Sequence, residues 1–360
     1  MEYKKPIIDG HYHNFDWYNH GNHDFFQATE EYMQVVNCRS ININALPSGE
    51  RDVSNNIMAA LFKLRHPHVY ANGGLVYDTY PVPAVLTAGM ETETQYQELM
   101  EIGFDGVKML ETKPTLLKVL GRGVDDPIYE GLFAAAERDG THMVWHVGDP
   151  ATFWDPELAP PDCIENGWFY GDGSYPSLEE IYGQVLTVLD RHPKLNVTFA
   201  HFFFMSDNPK RLAKIFAKYP NVNVDITPGS EMYHNFEKDR AYFRDFFTRY
   251  ADRIEYGTDC SDEGDASNYT AHVGVITRFL TTEELITDWS ADFSGIGLDE
   301  PVLDKIFSEN YLRRAGTQPK PINIAALKAY VAKYRHLVRD PRVLANIDEE
   351  LQKYGEESCL

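Results

Sequence analysis

The sequence predicts an α/β fold, a closed (β/α)8 barrel with extra helices at its C-terminal end, and three observations carry that expectation. Short runs rich in β-branched residues recur along the chain, segments of helical period separate them, and the runs number eight. Alternating strands and helices imply a parallel sheet, because parallel neighbours need a crossover that is usually a helix. An open doubly wound sheet would usually carry a glycine-rich phosphate loop after its first strand, and none follows Ile7-Ile8.

In order, the strand-like runs are Ile7-Ile8, Gln34 to Cys38, Val69 to Val76, Phe104 to Leu110, His142 to Val147, Asn196 to Ala200, Asn221 to Ile226 and Arg253 to Tyr256. Helical period is clearest where Leu178, Ile181, Tyr182, Val185 and Leu189 share one face, opened by a capping box of Ser177 and Glu180. Asp299-Glu300-Pro301 resembles a helix start after the eighth run, and Ile324, Leu327, Val331 and Tyr334 repeat at helical spacing in the tail. Residues 1–316 are therefore expected to form the barrel and residues 317–360 a helical extension packed on it. Two connections, 13–26 and 151–176, are too long for simple turns and rich in Trp, Tyr, Phe, Gly and Pro. They are expected to wall the barrel mouth, or else to form surface or subunit contacts, which makes a homodimer an expectation too.

A chain of 360 residues with 43% hydrophobic content has room for one large core. Its formal charge of -22 repels phosphate backbones and anionic lipids, so no nucleic-acid or membrane-surface partner is expected, and a small-molecule substrate is. Cys38, Cys163, Cys260 and Cys359 match neither a disulfide scaffold nor a zinc-ribbon spacing. Free thiols and a cytoplasmic location are expected, since the first residues hold no apolar run long enough for a signal peptide.

The chemistry-bearing residues gather at strand ends. In Ile7-Ile8-Asp9-Gly10-His11-Tyr12-His13 the two histidines are two residues apart, so on an extended strand both imidazoles project to one side and one metal can bridge them. His146, His201 and Asp259 each stand at the carboxyl end of a later run, the face where barrel enzymes assemble their chemistry. Asp9 shares the parity of His11 and His13, and is expected either to accept a proton from a ligand's second nitrogen or to be a structural carboxylate.

Together with Gly103-Phe104-Asp105-Gly106-Val107-Lys108, Tyr256-Gly257-Thr258-Asp259 and Ser308-Glu309-Asn310-Tyr311, these residues resemble the amidohydrolase superfamily, in the branch called amidohydrolase family 2. That branch includes decarboxylases, hydratases and lactonases, and the resemblance spans roughly Pro6 to Gly316. It implies that His11, His13, His146 and Asp259 ligate one divalent metal while His201 stands beside it as acid or base. Zinc is the first expectation, with manganese or iron also compatible with three imidazoles and a carboxylate.

Lys108 is expected to remain an ammonium that binds a substrate carboxylate or stabilises developing negative charge. The alternatives are a carboxylated lysine bridging two metals and a structural lysine paired with Glu111. Arg122 is a candidate clamp for a substrate acid, and Ser230 a candidate substrate contact. His20, His23 and Asp24 could add polarity over the pocket, and Trp17, Trp154 and Trp168 could line it. The expected reaction is hydrolysis of a small ester, lactone or amide, carboxylated or sugar-derived, with Asp259 taking a proton from an activated water and His201 serving the leaving group. The alternatives are non-oxidative decarboxylation of a small unsaturated or aromatic acid and a metal-binding barrel without turnover. A nuclease of the TatD type also opens with two such histidines, but that family usually offers a glutamate where Lys108 stands, and the negative charge disfavours a phosphate polymer.

Overall fold

A computed structural model describes residues 3–15, 25–49, 51–78, 89–229, 231–287 and 292–354. Nine parallel strands form one curled sheet: β1 (Ile7–His13), β2 (Cys38–Asn44), β3 (Tyr70–Gly73), β4 (Gly106–Thr112), β5 (His142–Val147), β6 (Asn196–Phe199), β7 (Val222–Asp225), β8 (Ile254–Glu255) and β9 (Cys260–Ser261). β8 pairs with β7 while β9 pairs with β1, so one interrupted eighth strand closes the ring in two pieces. Across the interruption Gly10 N donates to Tyr256 O at 3.0 Å and Asp259 N to His11 O at 2.9 Å. Gly257 is needed there, because a Cβ would lie 2.5 Å from Thr227 Oγ1 and 2.8 Å from His11 Cβ. The fold is the barrel the sequence predicts.

Seven of the eight expected runs overlap their strands in the expected place. The second meets its strand only at Cys38: Gln34 and Val35 end the helix Phe25–Val35, and the strand is Cys38–Asn44. Its sequence, Cys-Arg-Ser-Ile-Asn-Ile-Asn, hid because Asn42 and Asn44 face the barrel interior, where branched aliphatics are usual. There Asn42 and Asn44 Nδ2 both donate to Gly10 O, and Asn72 Nδ2 donates to Asn44 Oδ1 at 3.0 Å. Hydrophobic burial lies instead between strands and helices, where Val107, Met109, Met143, Trp145, Val197 and Phe199 meet the surrounding helices.

The helix Leu178–Arg191 starts at the capping box of Ser177 and Glu180, as its sequence predicts, and buries Ile181, Tyr182, Val185 and Leu189. The helices Ile324–Tyr334 and Pro341–Gln352 bury Leu327, Tyr330, Val331, Val343 and Ile347 against the helices Ser54–Arg65 and Thr92–Ile102. The connection 151–176 carries a small core of Phe153, Cys163 and Tyr170, with Trp154 and Trp168 packed on it. Cys38, Cys163 and Cys260 are free thiols, while Cys359 lies outside the described residues. No helix among the described residues is long and apolar enough to cross a membrane.

Candidate active site

Extended geometry sends His11 and His13 to the same side of β1, into the barrel mouth, where both are buried. Their Nε2 atoms approach to 3.1 Å, and Asp259 Oδ1 lies 3.1 Å from His13 Nε2 and 3.6 Å from His11 Nε2. The other ring nitrogens are already engaged: His11 Nδ1 lies 2.7 Å from Asp225 Oδ2 and His13 Nδ1 2.7 Å from Asn44 O. An acceptor at Nδ1 fixes the proton there and leaves the lone pair of the neutral ring on Nε2. Burial pushes His13 down to about 3, so that ring is neutral. Burial works against the charge on Asp259, but the surrounding imidazoles, His13 first and then His11 and His201, hold its carboxyl well below the usual range.

Two imidazole lone pairs and a carboxylate oxygen thus converge, with ligand atoms within 4.8 Å of one another. Acceptors repel at such distances unless a cation lies among them, and outer partners on both imidazoles are what metal-ligating histidines require. The donor set fits a divalent metal ion. Lys108 Nζ supplies positive charge at the same place, 2.8 Å from His11 Nε2, and burial pulls it down to about 8 against the opposing fields of Asp259 and Asp225. Glu111 is not its partner; that carboxylate accepts from Tyr77 OH and Leu110 N.

His201 opens a turn whose four residues, His201 to Phe204, all have positive φ, from 47° to 60°. Such a turn costs roughly 1–2 kcal/mol per non-glycine residue, so the surroundings must impose it. Asp225 Oδ1 accepts His201 N at 2.9 Å, Tyr182 OH donates to Phe203 O at 3.0 Å, and Phe203 stacks on Phe199 at 4.0 Å. The result brings the His201 ring within 5.9 Å of His11 and 5.0 Å of His146, centroid to centroid.

His146 stands at the same mouth but outside the three-donor group. Its Nε2 turns to Gly148 O at 2.9 Å and Asp149 Oδ1 at 3.3 Å. Asp149 in turn accepts from Lys113 Nζ at 2.9 and 3.0 Å and from Tyr170 OH at 2.6 Å, tying the 151–176 connection to the site. Trp154 donates to Pro176 O, and Trp168 lies beneath the Lys113 ammonium, so these rings brace that connection.

Other expected residues fall elsewhere. Arg122 follows the left-handed Gly121 that ends the helix Pro114–Leu120, and its half-exposed guanidinium faces Asp126 at 3.9 Å, not the histidines. Asp9 is structural: it accepts from His11 N, Thr258 N, Thr258 Oγ1 and Tyr32 OH, and touches no ligand imidazole. Ser230, Trp17, His20, His23 and Asp24 lie outside the described residues. Asp225 takes the role considered for Asp9, and its signal was available, because it ends β7 as His146 nearly ends β5.

No curated protein matches the chain. Among solved structures, an uncharacterised TIM-barrel protein from Bordetella bronchiseptica is 18% identical, covers 87% of this chain and 100% of its own, and superposes with a TM-score of 0.54. A 2,6-dihydroxybenzoate decarboxylase from Rhizobium is 14% identical over 87% of this chain and 99% of its own, with a TM-score of 0.53. A Staphylococcus aureus protein described as a putative amidohydrolase is 15% identical over 87% and 100%, also at 0.53. These likenesses show the fold. The family profile described as amidohydrolase matches residues 58–313, well over half of the sequence and spanning Lys108, His146, His201, Asp225 and Asp259, and the chain therefore belongs to the amidohydrolase family.

Proposed function

We propose that this protein is a metal-dependent hydrolase acting on a small ester, lactone or amide, carboxylated or sugar-derived. The observation that carries the reading is the convergence of His11 Nε2, His13 Nε2 and Asp259 Oδ1, with Asp225 and Asn44 holding the two rings from behind. A divalent ion held there, zinc first among the candidates, supplies Lewis acidity and lowers the pKa of a coordinated water toward 7. His146 would join the ligand set by turning its ring from Asp149 toward the other three.

The chain's own residues supply the rest. Asp259, ionised and half open to the mouth, is placed to accept a proton from the attacking water. His201 is held with Nδ1 3.2 Å from the carbonyls of Thr227 and Pro228, which fixes that proton and leaves Nε2 to exchange one with the leaving group. Burial lowers the His201 pKa, so the ring is available in its neutral form near neutrality. The Lys108 ammonium stands where negative charge would develop on a substrate oxygen.

A second reading, non-oxidative decarboxylation, rests on that buried ammonium, which could also seat a substrate carboxylate. Arg122 lends it nothing, since it faces Asp126. Metal-loaded protein assayed on a panel of lactones, esters, amides and aromatic acids separates the readings. Ring opening without carbon dioxide release is expected. Carbon dioxide from an aromatic or unsaturated acid, with no hydrolysis, would replace the hydrolase by a lyase. Inertness on the whole panel, with His201→Asn leaving ligand binding unaltered, would favour a metal-binding barrel without turnover.

A further inference from the structure

Among the described residues three large hydrophobic side chains are exposed, Leu158, Ile164 and Leu285, and two of them stand on the 151–176 connection. A lone exposed leucine is ordinary, but these two share one lobe that has its own core of Phe153, Cys163 and Tyr170. The lobe is fixed before any partner arrives: Trp168 N donates to Cys163 O at 2.8 Å, and Tyr170 OH to Asp149 Oδ2 at 2.6 Å. Beside the two apolar residues in the sequence stand Glu157, Asp162 and Glu165, all exposed and without an ion-pair partner among the described residues. The lobe is acidic, with apolar tips.

The opposite combination lies between the helices Pro209–Lys218 and Arg240–Arg249. Together they carry seven basic residues and one acidic residue, in a chain whose formal charge is -22. A groove of about 530 Å³ runs there, with the buried Phe246 and half-buried Tyr242 and Tyr250 at its floor, the exposed Lys210 and Arg249 at its rim, and Asp245 as its one acid. Phe246 and Tyr250 lie 4.6 Å apart, and the Arg249 guanidinium stands 5.4 Å over the Tyr250 ring. Arg211, Lys218, Arg240 and Arg244 are answered by carboxylates, whereas Lys210, Lys214 and Arg249 have no ion-pair partner among the described residues.

Lobe and groove belong to one face of the molecule. Leu158 and Lys238 line one hollow, Lys238 lines the next together with Lys210 and Tyr242, and Lys210 and Tyr242 continue into the groove. We propose that this face is a homodimer interface, in which each copy of the chain seats its acidic, apolar-tipped lobe in the basic aromatic groove of the other. Charge selects that arrangement. Groove against groove would set Lys210 and Arg249 against like charges, whereas a two-fold axis passing between lobe and groove pairs each with its complement twice over. Leu158 and Ile164 then leave water against the rings of the groove, an apolar contact that the charges alone do not supply.

Light scattering on size-exclusion fractions of the full chain tests the interface. At about 50 µM the wild type should carry twice the chain mass, since an interface of standard size, about 800 Å² per partner, holds at micromolar concentration or below. Reversing the groove with Lys210→Glu and Arg249→Glu, or the lobe with Asp162→Lys and Glu165→Lys, sets like charges together at both contacts and should raise the dimer dissociation constant about a hundredfold or more. These side chains are exposed, so the fold should persist, as read by circular dichroism. Combining both reversals restores opposite charges and should return the constant to within about tenfold of the wild type. Leu158→Ser with Ile164→Ser should raise it about tenfold or more with the charges untouched. A monomeric wild type, or a groove or lobe reversal that dimerises as the wild type does, overturns the proposal, and a combined variant that stays monomeric overturns the pairing of lobe with groove. A monomer that binds a poly-glutamate peptide, and loses it on reversal of the groove, would give the groove to an acidic partner of another kind. Because mass is read without metal or turnover, a failed hydrolase assay leaves the interface standing.

Discussion

Two polar layers lie inside the same barrel, and they differ in how their atoms are matched. At the floor, near the amino ends of the strands, the close contacts join donors to acceptors, with His142 Nε2 2.8 Å from Thr198 Oγ1, Thr198 Oγ1 donating to Glu255 Oε1 at 3.0 Å and Arg314 to Asn223 Oδ1 at 2.7 Å, while His142 Nδ1 and Arg314 Nε have no partner among the described residues. At the mouth the acceptors of His11, His13 and Asp259 point at one another. Histidines and carboxylates are buried in both, so polarity does not mark the function. Convergence of like atoms does, because the Lys108 ammonium answers the His11 Nε2 acceptor, whereas a metal ion would answer all three at once.

The comparison breaks first if the mouth holds no metal. In the double variant His11→Ala, His13→Ala, elemental analysis should find less than about a tenth of the wild-type metal content, with hydrolysis lost by roughly three orders of magnitude or more. Replacing His142 at the floor should leave metal content unchanged. Equal metal in the mouth variant and the wild type would remove the site altogether.

His201→Asn should separate proton transfer from metal binding. Asparagine tolerates a left-handed backbone, so the turn persists, and kcat is expected to fall about 10²- to 10⁴-fold with metal content unaltered. Metal lost together with activity would make His201 a ligand. Asp225→Asn should act more mildly and in the opposite sense. The amide places a donor at His11 Nδ1, forces the ring proton onto Nε2, and weakens metal affinity about 10- to 100-fold, as read by competition with a chelator.

What could be read in the sequence follows the same division. The His11 and His13 pair and the strand-end positions of His201 and Asp259 were legible because a period of two fixes which side chains share a face. The interior layers obey the same parity, as His142 with His146 and Asn223 with Asp225 illustrate. β2 was misplaced because asparagines stand where aliphatics were expected. The turn of His201 to Phe204 was illegible, since His-Phe-Phe-Phe carries no glycine or asparagine to announce positive φ, and its geometry is imposed by Asp225, Tyr182 and Phe199 from distant parts of the chain. His146 shows the limit of strand-end logic: the position is right, yet its Nε2 is committed to Gly148 and Asp149. Arg122 could not be placed from a Gly-Arg-Gly motif alone, because nothing local says where a loop side chain turns.

The smallest expected effect sharpens the floor side of the comparison. Burial pushes Glu255 from 4.5 up to about 7, and the nearby Arg314 only partly offsets it. Between those two values the folded chain keeps a proton on Glu255 that the unfolded chain has released, so stability falls as pH rises through that window. The contribution is present in full below about 4.5 and lost above about 7. Glu255→Gln keeps the acceptor for Thr198 and cannot ionise. Relative to wild type it should therefore gain on the order of 1–3 kcal/mol between pH 5 and pH 8, measured by urea unfolding at matched metal content. Metal content and His201-dependent turnover should not move, because the floor contributes no atom to the converging set. A stability difference that is flat in pH would mean that Glu255 is ionised and paired with Arg314 throughout, and a loss of metal would mean that the two layers are coupled through the Asn223 to Asp225 strand.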